Sequence, residues 1–503
     1  NCGMPYYIGG VIKNEDDLLI QTPESFHARF NVDVRVNNEV LSVNSSEKTV
    51  KVLDHSKGKE YAENYDVLVL SPGAYPYRPP INGVDKAHVF TLRNLIDTKD
   101  IRSFINQHKP QSAVIIGGGY IGIEMAENLK ESGIRISIVE ASSHILKPLD
   151  EDMAHFVQRN IRSHEIGLYL NSKAGEITDN EVVLENGTHI SADIVILSTG
   201  TNPETGFLKN SGINLGDRGE IIVNDRLETS VKGVYALGDA SAVTNIVTGQ
   251  KQIVPLASPV NKQARIAGDV ICGKNAKYSG AQGTSIIKVF NLTAAVTGES
   301  EYSLKSSNLQ YLKSYTVSTS IASYYPGAET MYIKLLFDSS GIVLGAQIVG
   351  GKGVDKRIDV LATAIRARMT IYDLQELELA YAPPYSSAKD PVNMAGFVAG
   401  NILEGMMKPF YPEDIDKIDK NGVLVDVRTP GEFSSGHIPG AVNIPVDNLR
   451  ENLNSLDKSK NIYLYCRIAQ RGYIAQRILE QDGYNTKNLA GGYLFYDAMV
   501  EDK

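Results

Sequence analysis

Ala113-Val114-Ile115-Ile116-Gly117-Gly118-Gly119-Tyr120-Ile121-Gly122 is the stretch on which the fold turns. Four apolar residues predict a buried strand, and the glycines that follow fit G-x-G-x-x-G. Ile123-Glu124-Met125-Ala126-Glu127-Asn128-Leu129 continues as a helix with small and apolar residues on one face, and Gly133 ends it. Ile134 to Val139 is a second strand, closed by Glu140. A bare G-x-G-x-x-G says little. Set between strand and helix, with an acid about 20 residues on, it predicts a dinucleotide site. Gly117, Gly119 and Gly122 let the backbone approach a pyrophosphate, whose charge the helix amino end stabilises. Glu140 can accept from both ribose hydroxyls and would repel a 2′-phosphate, which favours NADH over NADPH. A purely structural glycine turn is the plain alternative.

The 503 residues exceed one core, and three or four domains are expected. Hydrophobic content of 42% and charged content of 22% are those of a globular protein. A net charge of -9 argues against nucleic acid as a general partner. No run approaches the roughly 18 apolar residues of a membrane span. Tyr65 to Leu70 and Ala192 to Leu197 are short runs that read as buried strands. Cysteines stand only at 2, 272 and 466, with no C-x-x-C pair. This predicts no disulfide framework, no zinc or other metal, and a reducing cytoplasm. There is no signal peptide. The chain opens inside a motif, and an N-terminal segment is expected to be absent from the sequence as given.

That opening motif is Asn1-Cys2-Gly3-Met4-Pro5-Tyr6-Tyr7. Glycine and proline fix a tight backbone around Cys2, and two aromatics can wall a flat or apolar ligand. Such a sulfur suits reversible disulfide chemistry; a turn cysteine near a chain end is the alternative. No second cysteine lies nearby, so redox chemistry there uses one protein thiol. Val32-Val36, Val40-Val43, Thr49-Leu53 and Tyr65-Leu70 read as strands. The last runs into Ser71-Pro72-Gly73-Ala74 and a stiff connection, Tyr75 to Pro80. Beyond the glycine loop, Ala192 to Leu197 meets Ser198-Thr199-Gly200-Thr201-Asn202-Pro203, a second strand-end loop suited to a nucleotide at Gly200. Val231 to Ala240 is a strand ending in Gly238-Asp239, where a carboxylate can accept from a sugar or polyol hydroxyl; a turn aspartate is the alternative. Pro255-Leu256-Ala257 and a helix over Val260 to Val270 follow and complete the candidate cofactor-binding residues.

The order of these motifs resembles the single-cysteine branch of the FAD-dependent pyridine nucleotide-disulfide oxidoreductases, of the coenzyme A-disulfide reductase type. The resemblance covers roughly residues 1 to 405. It implies Cys2 as redox nucleophile, Asp239 on the FAD ribityl chain and Gly73 near the flavin. It also implies two nested Rossmann-like domains: FAD-binding parts at 1–107 and 231–280, around an NAD-binding domain at 108–230. The family begins with a βαβ unit that holds the FAD pyrophosphate, and none precedes Asn1. A protein that began there would be expected to bind FAD poorly, with an incomplete first sheet.

Residues 281–405 read as an α+β domain, with strands at Ser285-Phe290, Met331-Phe337 and Val343-Val349 and a helix over Val354 to Met369. The resemblance implies a homodimer formed through this domain. Two Tyr-Pro clusters stand out, Ser323-Tyr324-Tyr325-Pro326-Gly327 and Leu379 to Pro391. They read as rigid packing corners or as carriers of a functional hydroxyl. In coenzyme A-disulfide reductases similar tyrosines reach the partner subunit's cysteine, and Tyr325 and Tyr385 are the candidates. A tyrosine hydroxyl can donate to a leaving thiolate.

Residues 406–414 break the pattern and read as a linker, and an α/β pattern fills 415–503. Asn461 to Tyr465 is a strand delivering Cys466, followed by Arg467-Ile468-Ala469-Gln470-Arg471-Gly472 and a helix. Backbone N–H groups, the helix amino end, Arg467 and Arg471 all favour an anionic sulfur there and lower its pKa. A packed core cysteine is the alternative. Asp426-Val427-Arg428, Gly436-His437-Ile438-Pro439-Gly440-Ala441 and Cys466-Arg467 in order resemble a rhodanese domain. The resemblance implies a persulfide on Cys466. Ala469 stands where that family's loop usually has glycine.

The fold expected is therefore α/β, with an α+β dimerisation domain and a C-terminal rhodanese domain. The function expected is NADH-dependent reduction of coenzyme A disulfide, coenzyme A persulfide or polysulfide with FAD, NADPH being the other nicotinamide. An NADH oxidase or peroxidase cycling through a cysteine sulfenic acid is the enzyme alternative. A non-catalytic sulfur carrier or redox sensor is the alternative of another class.

Overall fold

A computed structural model of the chain describes residues 2–419 and 421–501. It divides into two compact units: Asn1–Ile145 with Glu165–Gly283, and Leu146–His164 with Thr284–Lys503.

The first unit is built on a five-stranded parallel sheet. Its order is Val89–Thr91, Ile194–Leu197, Ser112–Ile116, Arg135–Val139, Gly167–Tyr169. The two central strands are buried along their whole length. They are near-continuous apolar runs because a parallel strand covered on both faces has no solvent side to alternate toward. The glycine loop leaves the carboxyl end of Ser112–Ile116 and starts the helix Tyr120–Glu131, which ends before Gly133 in the left-handed region. A second core gathers Leu70, Ile221, Val234, Ala236 and Ala267.

Three sequence readings change here. Val32-Val36 forms no strand and leaves Val32, Val34 and Val36 exposed; the ladder starts at Asn38 and pairs Asn38–Asn44 with Thr49–Asp54 and then Lys59–Asn64. Tyr65-Leu70 shortens to Leu68–Leu70, with Val67 and Val69 exposed. Its one strand partner among the described residues is Val234–Ala236, so much of its surface is uncovered. Within the proline-rich connection, Ala74–Pro76 pairs antiparallel with Thr201–Pro203.

In the second unit, a five-stranded antiparallel sheet is ordered Ser285–Val289, Leu292–Gly298, Val343–Gly350, Thr330–Phe337, Leu312–Thr319. The helices Val354–Arg366 and Pro391–Leu403 pack on it. A parallel sheet follows, ordered Pro409–Phe410, Asn485–Leu489, Asn461–Tyr465, Val423–Asp426, Val442–Asn443. The stretch read as a linker thus supplies an edge strand, Pro409–Phe410.

The helix Glu151–Ser163 groups with the second unit. Phe156 stacks on Tyr332 at 3.9 Å, and Phe495 of the last helix meets Phe156 at 5.0 Å and Tyr315 at 4.6 Å. Below them Lys334, fully buried, reaches Asp150 at 2.9 Å, Asp152 at 2.7 Å and Glu301 at 2.5 Å. Lys313 bridges Glu301 at 2.9 Å and Glu413 at 2.7 Å. A buried ammonium needs such company: truncating one member of a buried pair costs about 3–5 kcal/mol.

Candidate functional site

The glycine loop is shaped by contacts that leave no room for a side chain. A Cβ on Gly122 would lie 2.2 Å from the Gly117 carbonyl and 2.5 Å from Ser198 Oγ. Gly117 itself has φ +108° and accepts from Ser198 Oγ at 2.6 Å. Gly119 caps the helix Tyr120–Glu131 and faces open space. Glu140 lies against the loop: Gly118 N–H donates to Oε2 and Ser142 N–H to Oε1, both at 2.8 Å. These bonds fix the acid at the strand end with lone pairs left for a ribose. Gly200, φ +101°, accepts from Tyr77 N–H at 2.9 Å and also faces open space. The cradle fits a dinucleotide.

Cys2 is an exposed free thiol just ahead of the short helix Met4–Ile8. Met4, Pro5, Tyr7 and Ile8 are buried, which anchors that helix. The Arg102 guanidinium sits 3.9 Å above the Tyr7 ring and donates to the Tyr7 carbonyl at 3.0 Å. Tyr6 Oη donates to Glu124 Oε1 at 3.3 Å. Burial, then the Glu124 charge, push the Tyr6 hydroxyl up to about 12, so it stays protonated and donating. Burial also raises the Glu124 carboxyl. The cysteine helix is thereby pinned to the helix that the glycine loop starts. Sequence reasoning missed Glu124. The signal was two acids, Glu124 and Glu127, three residues apart on the helix that the glycine loop starts.

A second cluster lies where Leu68–Leu70 and Val234–Ala236 leave their sheet together. Gly73 and Gly238 have φ +73° and +84°. Arg93 donates to the Pro72 carbonyl at 3.3 Å and pairs with Glu204 at 3.4 Å. Asp239 is half-buried; burial raises its carboxyl and the Arg93 charge opposes that. It has no hydrogen-bond partner among the described residues. Pro255 and Leu256 lead into the helix Ala257–Ile271, whose Gln263 accepts the Gly238 N–H at 2.9 Å.

The remaining candidates belong to the second unit. Tyr385 is 72% exposed and Tyr325 is also exposed. Their loops are neighbours: Tyr324 Oη and Tyr381 Oη share a hydrogen bond at 3.1 Å, and Ala322 N–H donates to the Pro383 carbonyl. Behind them Arg357, buried, donates to Asp390 Oδ2 and Ser386 Oγ, both at 2.9 Å. Burial would raise Asp390, but Arg357 and Ser386 hold its carboxyl below the usual range.

Cys466 leaves the central strand Asn461–Tyr465 fully buried. Its carbonyl accepts from Tyr493 N–H at 2.8 Å. A Cβ on Gly492 would lie 2.6 Å from that carbonyl, so the last helix starts flush against the loop. Ala469 adopts φ +71° and its carbonyl is held by Asn488 Nδ2 at 3.0 Å. Arg471 Nη1 and Nη2 grip Glu432 Oε2 and Oε1 at 2.8 and 2.7 Å. Arg467 is exposed. The predicted residues thus divide. Cys2 and every predicted cofactor contact lie in the first unit; Tyr325, Tyr385, Cys466, Arg467 and Arg471 lie in the second.

Comparison with known proteins adds three family matches. They are a pyridine nucleotide-disulphide oxidoreductase over residues 1–261, the dimerisation domain of that family over 284–391, and a rhodanese-like domain over 412–497. The chain is 36% identical over 404 residues to coenzyme A disulfide reductase of Staphylococcus haemolyticus, covering 80% of this chain and 91% of that protein. Among solved structures it is similar to reduced Bacillus anthracis CoADR-RHD, with 44% identity and a TM-score of 0.97 over 100% of this chain and 91% of that one. It is also similar to an NAD-dependent persulfide reductase from A. fulgidus, with 35% identity and a TM-score of 0.92 over 98% and 92%.

Proposed function

The chain belongs to the pyridine nucleotide-disulphide oxidoreductase family, and from that premise we propose an NADH-dependent reductase of coenzyme A disulfide, coenzyme A persulfide or polysulfide. The observation that carries this is the pairing, in one chain, of an exposed single cysteine pinned to a nucleotide-loop helix with a rhodanese-like domain holding Cys466. The family's cofactors are FAD and NAD(H), and the dimerisation domain makes a homodimer.

The Cys2 thiolate attacks one sulfur of coenzyme A disulfide. One S–S bond forms, the substrate's S–S bond breaks, and a coenzyme A thiolate leaves. Tyr385 and Tyr325 reach the partner subunit's cysteine and donate to the sulfur departing there. Gly117, Gly119, Gly122, Gly200 and Glu140 hold NADH; Gly73, Gly238, Asp239 and the turn Pro255-Leu256-Ala257 hold FAD. FAD, when bound, relays the two electrons of NADH to a disulfide. The balance is NADH, a proton and one disulfide giving NAD⁺ and two thiols. A persulfide gives a thiol and hydrogen sulfide. Cys466 holds sulfane sulfur as its own persulfide, with Arg467 and Arg471 over the anion. No helix among the described residues is long and apolar enough to cross a membrane. We place the protein in the cytoplasm on its three sparse cysteines.

The test is anaerobic NADH consumption by the full chain with coenzyme A disulfide, coenzyme A persulfide and polysulfide in turn, beside Cys2→Ser. Sulfur-dependent turnover that vanishes in the variant is expected. No sulfur turnover, with brisk NADH oxidation on admitting air or peroxide, would overturn it for an oxidase or peroxidase. A purified protein without flavin absorption would overturn it for a carrier.

A further inference from the structure

The bidentate pair beside Cys466 bears on which sulfur donors that cysteine accepts. Glu432 is the third residue of the short helix Pro430–Ser434, and Thr429 at its start donates to Glu432 Oε2 from both N–H, at 3.1 Å, and Oγ1, at 3.0 Å. Held there, the carboxylate receives both terminal nitrogens of Arg471. Arg471 stands in the first turn of the helix Gln470–Gln481 that follows the Cys466 loop, and its hydrogen bonds to Glu432, helped by the charge of Cys466, raise its pKa. Glu432, Arg471 and a Cys466 thiolate therefore form one row with a single positive charge between two negative ones. Glu432 takes two of the five N–H donors of Arg471 and offsets its charge.

Two donor classes make different demands on that row. An organic persulfide presents a neutral outer sulfur. The Cys466 thiolate attacks it, a new S–S bond forms, the old one breaks, and the electron pair leaves on an organic thiolate. Thiosulfate presents two negative charges, and the same attack expels sulfite, whose oxygens need cationic donors as charge gathers on them. With the charge of Arg471 offset by Glu432, exposed Arg467 is left to meet that charge, and the carboxylate repels the incoming dianion.

We propose that Glu432 is a specificity-determining residue that, through Arg471, restricts Cys466 to organic persulfide donors and excludes thiosulfate. This rests on the reading of Cys466 as a sulfur carrier. Glu432 is a positioning residue, since it acts through Arg471 and not on the sulfur.

The test loads Cys466 in the full chain from glutathione persulfide or thiosulfate, read as the mass gain of one sulfur and as thiocyanate release to cyanide. The wild-type chain is expected to load from the persulfide at least about tenfold faster. Glu432→Gln keeps the shape and the helix cap while removing the charge, and should raise the thiosulfate-to-persulfide ratio at least about tenfold. Should that variant misfold, Glu432→Asp, which draws the acid back from Arg471, must also raise the ratio. Thr429→Ala weakens the cap but leaves the charge, and should move the ratio less than about twofold. Equal loading of the wild type from both donors, or an unmoved ratio in the Glu432 variants, overturns the inference while leaving the carrier standing. No loading of Cys466 from either donor overturns the carrier reading, and this inference with it.

Discussion

Cys2 and Cys466 are both free thiols, and the chain presents them in opposite ways. Cys2 is exposed, just ahead of a five-residue helix that Arg102 holds at Tyr7 and Glu124 holds at Tyr6. Cys466 is buried, and Arg471, gripped by Glu432, stands in the first turn of the helix that follows it. The difference follows from what each must meet. A cysteine that opens a large disulfide needs access, and its electrons must come from a nucleotide bound nearby. A cysteine that stores one sulfur atom needs enclosure and a counter-charge, because a persulfide anion in contact with water is lost to side reactions. One chain thus contains an open, electron-fed sulfur and a closed, charge-stabilised one.

Exchanging the cysteines gives the largest effect and separates the two roles outright. Cys2→Ser should lower NADH-dependent disulfide reduction by at least about a thousandfold while sulfur loading of Cys466 persists. Cys466→Ser should do the reverse. Stopped-flow NADH oxidation and intact-mass analysis on the same samples read both. If either variant loses both activities, the two sulfurs work as one site and the contrast fails.

A smaller effect comes from the nucleotide loop, which has no counterpart around Cys466. Gly122→Ala places a Cβ 2.2 Å from a backbone carbonyl that cannot yield. It should raise the KM for NADH at least about tenfold, with sulfur loading unchanged. Asp390 offers a finer cut. It lies in the same unit as Cys466, yet it braces the loop bearing Tyr385. Asp390→Ala leaves Arg357 buried without its partner, at a local cost of about 3–5 kcal/mol. Disulfide turnover should fall several-fold, with Cys466 loading intact. Parallel losses would tie the tyrosine loop to the rhodanese-like half.

Sequence reading reached the open site and the closed one unequally. The parallel strands, the glycine loop and Glu140 were legible because period, spacing and backbone freedom are local properties. Cys466 was legible for the same reason: a strand delivers it and a helix follows at once. The bond from Tyr6 to Glu124 spans 118 residues and the grip of Arg471 on Glu432 spans 39, so neither has a local signature. Val32-Val36 misled because alternation favours a strand only where a neighbour completes the ladder, and none does among the described residues. The helix Glu151–Ser163 lies in sequence within the nucleotide half, yet Phe156 and Asp152 commit it to the second unit. Which sheet takes up an amphipathic helix is a tertiary outcome that periodicity does not encode.

The smallest expected effect is the most direct test of the electrostatic contrast. Arg471, first by hydrogen bonding, holds the Glu432 carboxyl at about 2 against an ordinary 4.5. A carboxyl lowered on folding stabilises the fold above its unfolded value, and that contribution disappears as pH falls from about 4.5 toward 2. Glu124 has the opposite sign. Burial raises its carboxyl, so the fold gains when it is protonated, and that gain is lost as pH rises through its folded value. Hydrogen exchange read separately on the amides of Gln470–Gln481 and Tyr120–Glu131 resolves the two locally, which global unfolding of a multidomain chain would not. Acidification below about 4.5 should loosen the first helix, and Glu432→Gln should flatten that slope. Raising the pH from the acid side should loosen the second, and Glu124→Gln should remove that trend. Slopes of the same sign in both helices would mean that the acids beside Cys2 and Cys466 do not differ as their partners require.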